Sequence, residues 1–262
     1  MDSGRFSIFK AARNAYAFAG KEWLYLLKLG LLPMGAQFAT ALFTQFQRPD
    51  ASPIESYLWG LPAMALLAWF MFLETRLLLL GERVGHLTKD PAYLAERHHD
   101  MKLSMLTAIL FNMGSAAATS ILLTALDSKL WGINWLVTAT GLLTIGAMFW
   151  GVRFGVVSIV AAVHYPIRKV LQKTWGMLFS LRLISVAMLC TFPVAFLFQL
   201  IAVTVLAGAA DADVPLKLTD AQQIAITAAG APLSLLAVAL LNAGTAFALK
   251  EILGSKRDGL TT

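Results

Sequence analysis

The side chains most able to do chemistry here are charges set in apolar surroundings. Glu74 and Arg76 lie within the run Tyr57–Leu80, and Arg153 lies in the apolar stretch Gly151-Val152-Arg153-Phe154-Gly155. A charge at the centre of a membrane helix costs roughly 2.5–3.5 kcal/mol on insertion scales, so each of these needs a partner, water or a route to the interface. Glu74 and Arg76 are two residues apart, and such positions do not share a helical face. Arg153, near the cytoplasmic end of its own span, is the better partner expected for Glu74. A carboxylate paired with a guanidinium inside a bundle suits a proton- or ion-linked site. It equally suits a structural ion pair with snorkelling side chains.

A second cluster, His86, Glu96, His98, His99 and Asp100, falls in the longest polar gap, Gly81–Lys102. Imidazole and carboxylate are zinc ligands. The spacing matches no established ligand pattern, however, and the adjacent His98 and His99 point in different directions on a helix. These residues are read as a solvated loop, and neither a metal nor a cofactor is expected. There is no phosphate-cradling glycine loop, nucleophile elbow, pair of intramembrane carboxylates or Cys–His pair. The expected function is therefore not enzymatic. The one cysteine, Cys190, lies inside an apolar run and has no partner for an intrachain disulfide.

The elements that would position these residues follow from composition. Of 262 residues, 58% are hydrophobic and 14% charged, against about 25% charged in soluble domains. That balance excludes a soluble fold, a disordered chain, a collagen-like repeat and a disulfide scaffold. A membrane helix needs about 20 mostly apolar residues. Stretches of that kind are Leu24–Phe46, Tyr57–Leu80, Leu103–Leu126, Trp131–Val152, Met177–Leu206 and Ile224–Leu249. The fourth ends at Val152 or runs on to Val163. The fold class expected is all-α: one integral membrane domain over residues 1–262, six transmembrane helices and two basic amphipathic interfacial helices. Pro33, Pro62, Pro193 and Pro232 are positions where spans could kink or break. Small residues four apart, at Gly151/Gly155, Ala225/Ala229 and Ala239/Ala243, favour close helix packing. Asn112, Asn242, Gln37 and Gln199 suit interhelical hydrogen bonds.

The basic residues set the topology. Eighteen lie in the amino-terminal segment, the second and fourth connections and the tail. Three, Arg48, Lys129 and Lys217, lie in the alternate loops. Basic residues mark the cytoplasmic side, so both termini are expected there, in a bacterial cytoplasmic (inner) membrane. The net charge of +6 divides into +9 on that side and −3 on the other. The first span is too long and too late for a cleaved signal peptide. Tyr57 and Trp59, with Trp131 and Trp135, are expected at outer-leaflet ends.

Two segments have basic faces. In Phe6–Trp23, a helical projection gathers Phe6, Phe9, Ala12, Tyr16, Gly20 and Trp23. Lys10 and Lys21 lie opposite, with Arg13 at the boundary. The amphipathic amino-terminal segment is taken as residues 1–23. In Pro166–Leu181, Ile167, Val170, Leu171, Thr174 and Leu178 share one face, while Arg168, Lys169, Gln172 and Lys173 share the other. Basic amphipathic helices beside spans suit the headgroup plane of an anionic leaflet. They equally suit elbows folded onto the bundle. The partners expected are anionic lipids of the cytoplasmic leaflet, with a membrane-protein partner or a second copy of the chain as a further option. Nucleic acid is not expected, because topology already accounts for the dispersed basic residues.

Two stretches carry a family resemblance. One is Ser7-Ile8-Phe9-Lys10-Ala11-Ala12-Arg13, followed by Trp23-Leu24. The other runs from Arg153 through Pro166-Ile167-Arg168-Lys169-Val170-Leu171-Gln172-Lys173-Thr174-Trp175-Gly176 to Leu178-Phe179. They are similar to bacterial six-helix inner-membrane proteins related to the membrane domain attached to some glycerophosphodiester phosphodiesterases. The chain departs from that pattern with Trp175 where a basic residue usually falls and with Lys173 before Thr174. The resemblance implies six spans and an inner-membrane location, with no settled activity. The soluble phosphodiesterase domain has no counterpart here. The leading expectation is a scaffold or accessory subunit contacting lipid or a partner through Lys10, Arg13, Lys21, Arg168, Lys169 and Lys173. The rival is a small transporter or channel with a Glu74/Arg153 intramembrane site, Arg76 being a further intramembrane polar residue.

Overall fold

The computed structural model describes residues 6–47, 53–85, 90–127, 152–153, 155–174, 176–207 and 219–253. Among these residues the regular structure is helical, with no strand. The helices are α1 (Ile8–Gln47), α2 (Pro53–Leu80), α3 (Pro91–Asp127), α4 (155–162), α5 (Ile167–Thr174), α6 (Met177–Ala207) and α7 (Asp220–Leu253).

Side chains set several helix starts. The Ser7 hydroxyl accepts from the Lys10 amide (3.3 Å) ahead of α1, and the Asp90 carboxylate accepts from the Ala92 amide (3.0 Å) ahead of α3. Each satisfies an amide that the first helical turn leaves without a partner. Before α7, Thr219 and Gln222 form a reciprocal capping box. The Thr219 hydroxyl accepts from the Gln222 amide (3.3 Å), and Gln222 Oε1 accepts from the Thr219 amide (2.9 Å).

α2 is central, with most of its apolar length buried, whereas α1, α6 and α7 turn most of theirs outward. It packs against α1, α3 and α7, and α6 closes on α7 and α1. Phe70, Val186, Leu240 and Leu249 lie in the core. Glycine allows the closest approaches. A Cβ on Gly244 would lie 2.8 Å from Val186 Cγ1 and 2.9 Å from Cys190 Sγ, and one on Gly30 would overlap Leu235. Of the expected small-residue pairs, Ala239 and Ala243 are buried, whereas Ala225 is exposed. Gly155 faces open space among the described residues, and Gly151 lies outside them. Large apolar residues such as Leu31, Leu32, Met188, Phe192 and Phe196 cover the outside. In water such a surface would drive association.

Four helices are long and apolar enough to cross a membrane: Ile8–Gln47, Leu58–Leu80, Met177–Val205 and Asp220–Leu253. They coincide with the first, second, fifth and sixth expected spans. Leu103–Leu126 lies within α3, and Trp131–Val152 falls outside the described residues except at Val152.

The structure departs from the sequence expectation in three places. First, α1 runs unbroken through Trp23, so no helix boundary separates an amphipathic segment from a first span. Its buried stripe is Ala11, Ala12, Ala15 and Ala19, and Phe9, Tyr16 and Trp23 are exposed. Short alanines let neighbouring helices come close, and the large aromatics are left on the outside. Second, the polar gap Gly81–Lys102 is helical from Pro91 on, because Asp90 caps the helix and proline is well suited to a first turn. Third, Pro166–Leu181 is not one helix: α5 ends at Thr174 and α6 begins at Met177, so Leu178 lies on α6 and not on the α5 face. Pro33, Pro62, Pro193 and Pro232, where spans could kink or break, all lie inside unbroken helices.

Candidate functional site

A dense polar cluster among the described residues gathers around Arg76, just before the last turn of α2. The chain leaves α2 through Gly81 at φ +71°, a left-handed conformation that glycine adopts without strain. The Glu82 amide then bonds back to the Arg76 carbonyl (3.3 Å). This reversal sets the Glu82 carboxylate against the Arg76 guanidinium. Arg76 Nε donates to Glu82 Oε2 at 2.6 Å, Nη2 to the Tyr93 hydroxyl at 2.9 Å and Nη1 to the Ala162 carbonyl at 2.8 Å. Nη1 also lies 3.5 Å from Asp100 Oδ2. Tyr93 in turn donates to Glu82 Oε2 (2.7 Å), and Arg97 Nε donates to Glu82 Oε1 (2.6 Å). Both guanidinium groups lie over the Phe72 ring, at 5.6 and 5.5 Å.

Arg76 thus links α2, α3 and α4 from a side chain only 5% exposed. Burial opposes ionisation of Glu82. The hydrogen bonds from Tyr93, Arg97 and Arg76 outweigh it and hold the carboxylate below its ordinary range. Burial raises the Tyr93 hydroxyl, and its bond to the Glu82 carboxylate adds to the effect.

Beside this cluster, α3 and α4 meet. Glu96 and Asp100, four apart on α3, face His164, which follows α4 at φ +53°. His164 Nδ1 lies 2.9 Å from Asp100 Oδ1 and 3.3 Å from Glu96 Oε1. The hydrogen bond to Asp100, opposed by desolvation and aided by both carboxylate charges, raises the imidazole above its usual value. Nearby, Ser104 and Ser158 hydroxyls meet at 3.2 Å. A pocket of about 430 Å³ opens here, bounded by His99, Asp100, His164, Tyr165 and Ile167 among others. Among the described residues, Glu96, Asp100 and His164 have donor atoms that converge closely enough to hold a metal ion.

Glu74 lies deeper and is fully buried. Its Oε2 accepts from Asn242 Nδ2 (2.9 Å), an amide that also reaches Thr75 Oγ1 (3.1 Å) and the Met71 carbonyl (3.2 Å). Oε1 makes no hydrogen bond among the described residues. The partner expected for Glu74, Arg153, is replaced by Asn242 from α7. Arg153 is half-buried and has an interaction of its own. Glu74 and Arg76 point to separate partners, as their spacing requires.

The basic residues singled out from sequence lie on exposed surfaces. Lys10, Arg13 and Lys21 are exposed on α1, with Lys10 Nζ 3.9 Å from Glu251 Oε1. Arg168 and Lys169 are exposed on α5, whose Val170 and Thr174 are buried. The Lys173 side chain lies outside the described residues. The start of α1 is joined to the start of α6 by the Phe6–Phe179 ring contact (5.9 Å) and by Arg182 Nη1 donating to the Phe6 carbonyl (3.1 Å). α5 therefore sits at the same end of the bundle as Lys10. A shallow groove of about 700 Å³ runs along Ile167, Arg168, Leu171 and Gln172.

Of the histidine cluster, His98 and His99 are exposed, Asp100 is buried, and His86 lies outside the described residues. Sequence reasoning missed Glu82, Tyr93, Arg97 and His164. The spacing of four in Tyr93/Arg97 and in Glu96/Asp100 was the available signal once α3 was known to begin at Pro91.

The fold and site together define an all-helical bundle with four helices able to cross a membrane and a buried arginine–carboxylate network at one end. No family model, curated protein or solved structure matches the chain.

Proposed function

We propose that the protein is a six-span protein of the bacterial cytoplasmic membrane with both termini inside. In this reading it acts without catalysis, as a scaffold or accessory subunit that holds anionic lipid headgroups at its cytoplasmic end. The resemblance carried by Ser7–Arg13 and Pro166–Gly176 agrees with this reading. The observation that carries it is α5. Val170 and Thr174 anchor this short helix in the bundle, Arg168 and Lys169 stay exposed, and Met177 and Leu178 just beyond are 68% and 72% exposed. Exposed cations beside exposed apolar side chains fit the boundary between headgroups and acyl chains. α1 supports the same arrangement by length. Its 40 residues would extend about 60 Å, roughly twice the hydrocarbon core. Lys10, Arg13 and Lys21 then lie toward the cytoplasmic surface.

Native mass spectrometry of protein released in mild detergent tests the reading. The wild type should retain phosphatidylglycerol or cardiolipin over phosphatidylcholine, and the Arg168→Ala/Lys169→Ala double variant should lose most of that preference. Equal retention of the neutral lipid, or no change in the variant, overturns it. A partner protein recovered in place of lipid would assign α5 to protein contact.

Glu74 supports a second reading, a small transporter or channel. A fully buried carboxylate with one oxygen lacking a hydrogen bond among the described residues is the kind of group that binds a proton or cation on a transport path. In proteoliposomes, wild type should then dissipate a pH gradient and Glu74→Gln should not. Gradients equally stable with both proteins would remove this reading.

A further inference from the structure

We propose that Glu96, Asp100 and His164 form a binding site for a divalent metal ion of the zinc class, with an open coordination position toward the adjoining pocket. The site is independent of the lipid reading. One ligand atom from each of Glu96, Asp100 and His164 lies within 4.8 Å of the others. Two of the separations, 2.9 and 3.3 Å, are close to the donor spacing of about 3.3 Å that tetrahedral geometry gives for bonds of about 2.0 Å. An ion can thus enter with side-chain adjustments alone.

Hydrogen bonding satisfies this group less well. Both carboxylate oxygens converge on the same ring nitrogen, which carries at most one proton to donate. A metal ion satisfies all three donors together. The set of one imidazole and two carboxylates suits zinc or manganese rather than a thiolate-seeking ion.

The surroundings add what such a site requires. Arg76 Nη1 lies 3.5 Å from Asp100 Oδ2, fixing one oxygen of the carboxylate while Oδ1 faces His164; outer groups of this kind orient ligands. The guanidinium charge also weakens the hold on a dication, so binding is expected to be moderate rather than tight. The pocket lined by His99, Asp100, His164 and Tyr165 leaves space for water or a small ligand at the fourth position. Because Glu96 and Asp100 come from α3 and His164 follows α4, a bound ion would join these two elements.

The test uses the full-length protein in mild detergent, stripped with a chelator and titrated with zinc and, as a spectroscopic probe, cobalt. Binding of about one equivalent, a visible cobalt band of low-symmetry coordination and a raised Tm are expected. Glu96→Gln and His164→Ala should each weaken affinity about tenfold or more, while His98→Ala leaves it unchanged. Glu96 and His164 are both exposed, so these variants should fold, and their metal-free Tm checks it. Failure of the wild type to bind either ion overturns the proposal. So does unchanged affinity in Glu96→Gln and His164→Ala, which would place the ion elsewhere.

Discussion

At Arg76, a single side chain holds together the end of α2, the start of α3 and the end of α4 through Glu82, Tyr93, Asp100 and the Ala162 carbonyl. Removing one partner of a buried ion pair leaves its counter-charge unsatisfied, at a cost of about 3–5 kcal/mol. Arg76→Ala should therefore lower stability by that order in detergent unfolding. A loss below about 1 kcal/mol would mean the network relaxes into water. Glu82 gives the pH dependence. Its carboxyl is held below its ordinary value in the folded protein. Its contribution is thus complete above the unfolded value, about 4.5, and disappears as pH falls through the lower folded value. The wild type should lose Tm across that acid window, and Glu82→Gln should start lower and lose less. Parallel Tm curves for the two proteins would dissociate Glu82 from acid stability.

At the scale of helices, small residues decide how closely elements approach. Gly244 brings α7 against Val186 and Cys190 of α6. Gly244→Ala should overpack that contact and cost about 1–3 kcal/mol. Gly155→Ala, which meets open space among the described residues, should cost less, and comparing the two Tm values checks the ranking. A capping change separates local from tertiary control of α3. Asp90→Ala removes the acceptor for the Ala92 amide and should cost about 1 kcal/mol. It should also speed hydrogen exchange at the first turn of α3, within reach of Tyr93. Unchanged exchange there would show that the Arg76 cluster alone holds the turn.

For the whole molecule, the division of charge into +9 and −3 predicts orientation. Cys190 is fully buried, so the native chain should react slowly with a membrane-impermeant maleimide. Against that background, Asp220→Cys should be labelled in intact cells and Lys169→Cys only after the membrane is opened, because the two positions lie at opposite ends of the proposed bundle. Labelling in the reverse order would invert the topology.

The one-dimensional pattern determined what depends on composition and local chemistry: a helical, lipid-compatible chain, four long helices at the apolar runs, helical structure beginning after Pro166 though not its end at Thr174, and Glu74 and Arg76 with different partners. These follow from hydrophobic runs, caps and helical spacing, which act over a few residues. The tertiary structure decided what depends on contacts between residues far apart in the chain. Asn242 reaches Glu74 across 168 positions, in place of the expected Arg153. His164 meets Asp100 across 64, turning residues read as a solvated loop into a convergent donor set. Local rules could place Glu96 and Asp100 on one helical face. Only the packing of α4 against α3 could supply the imidazole that faces them.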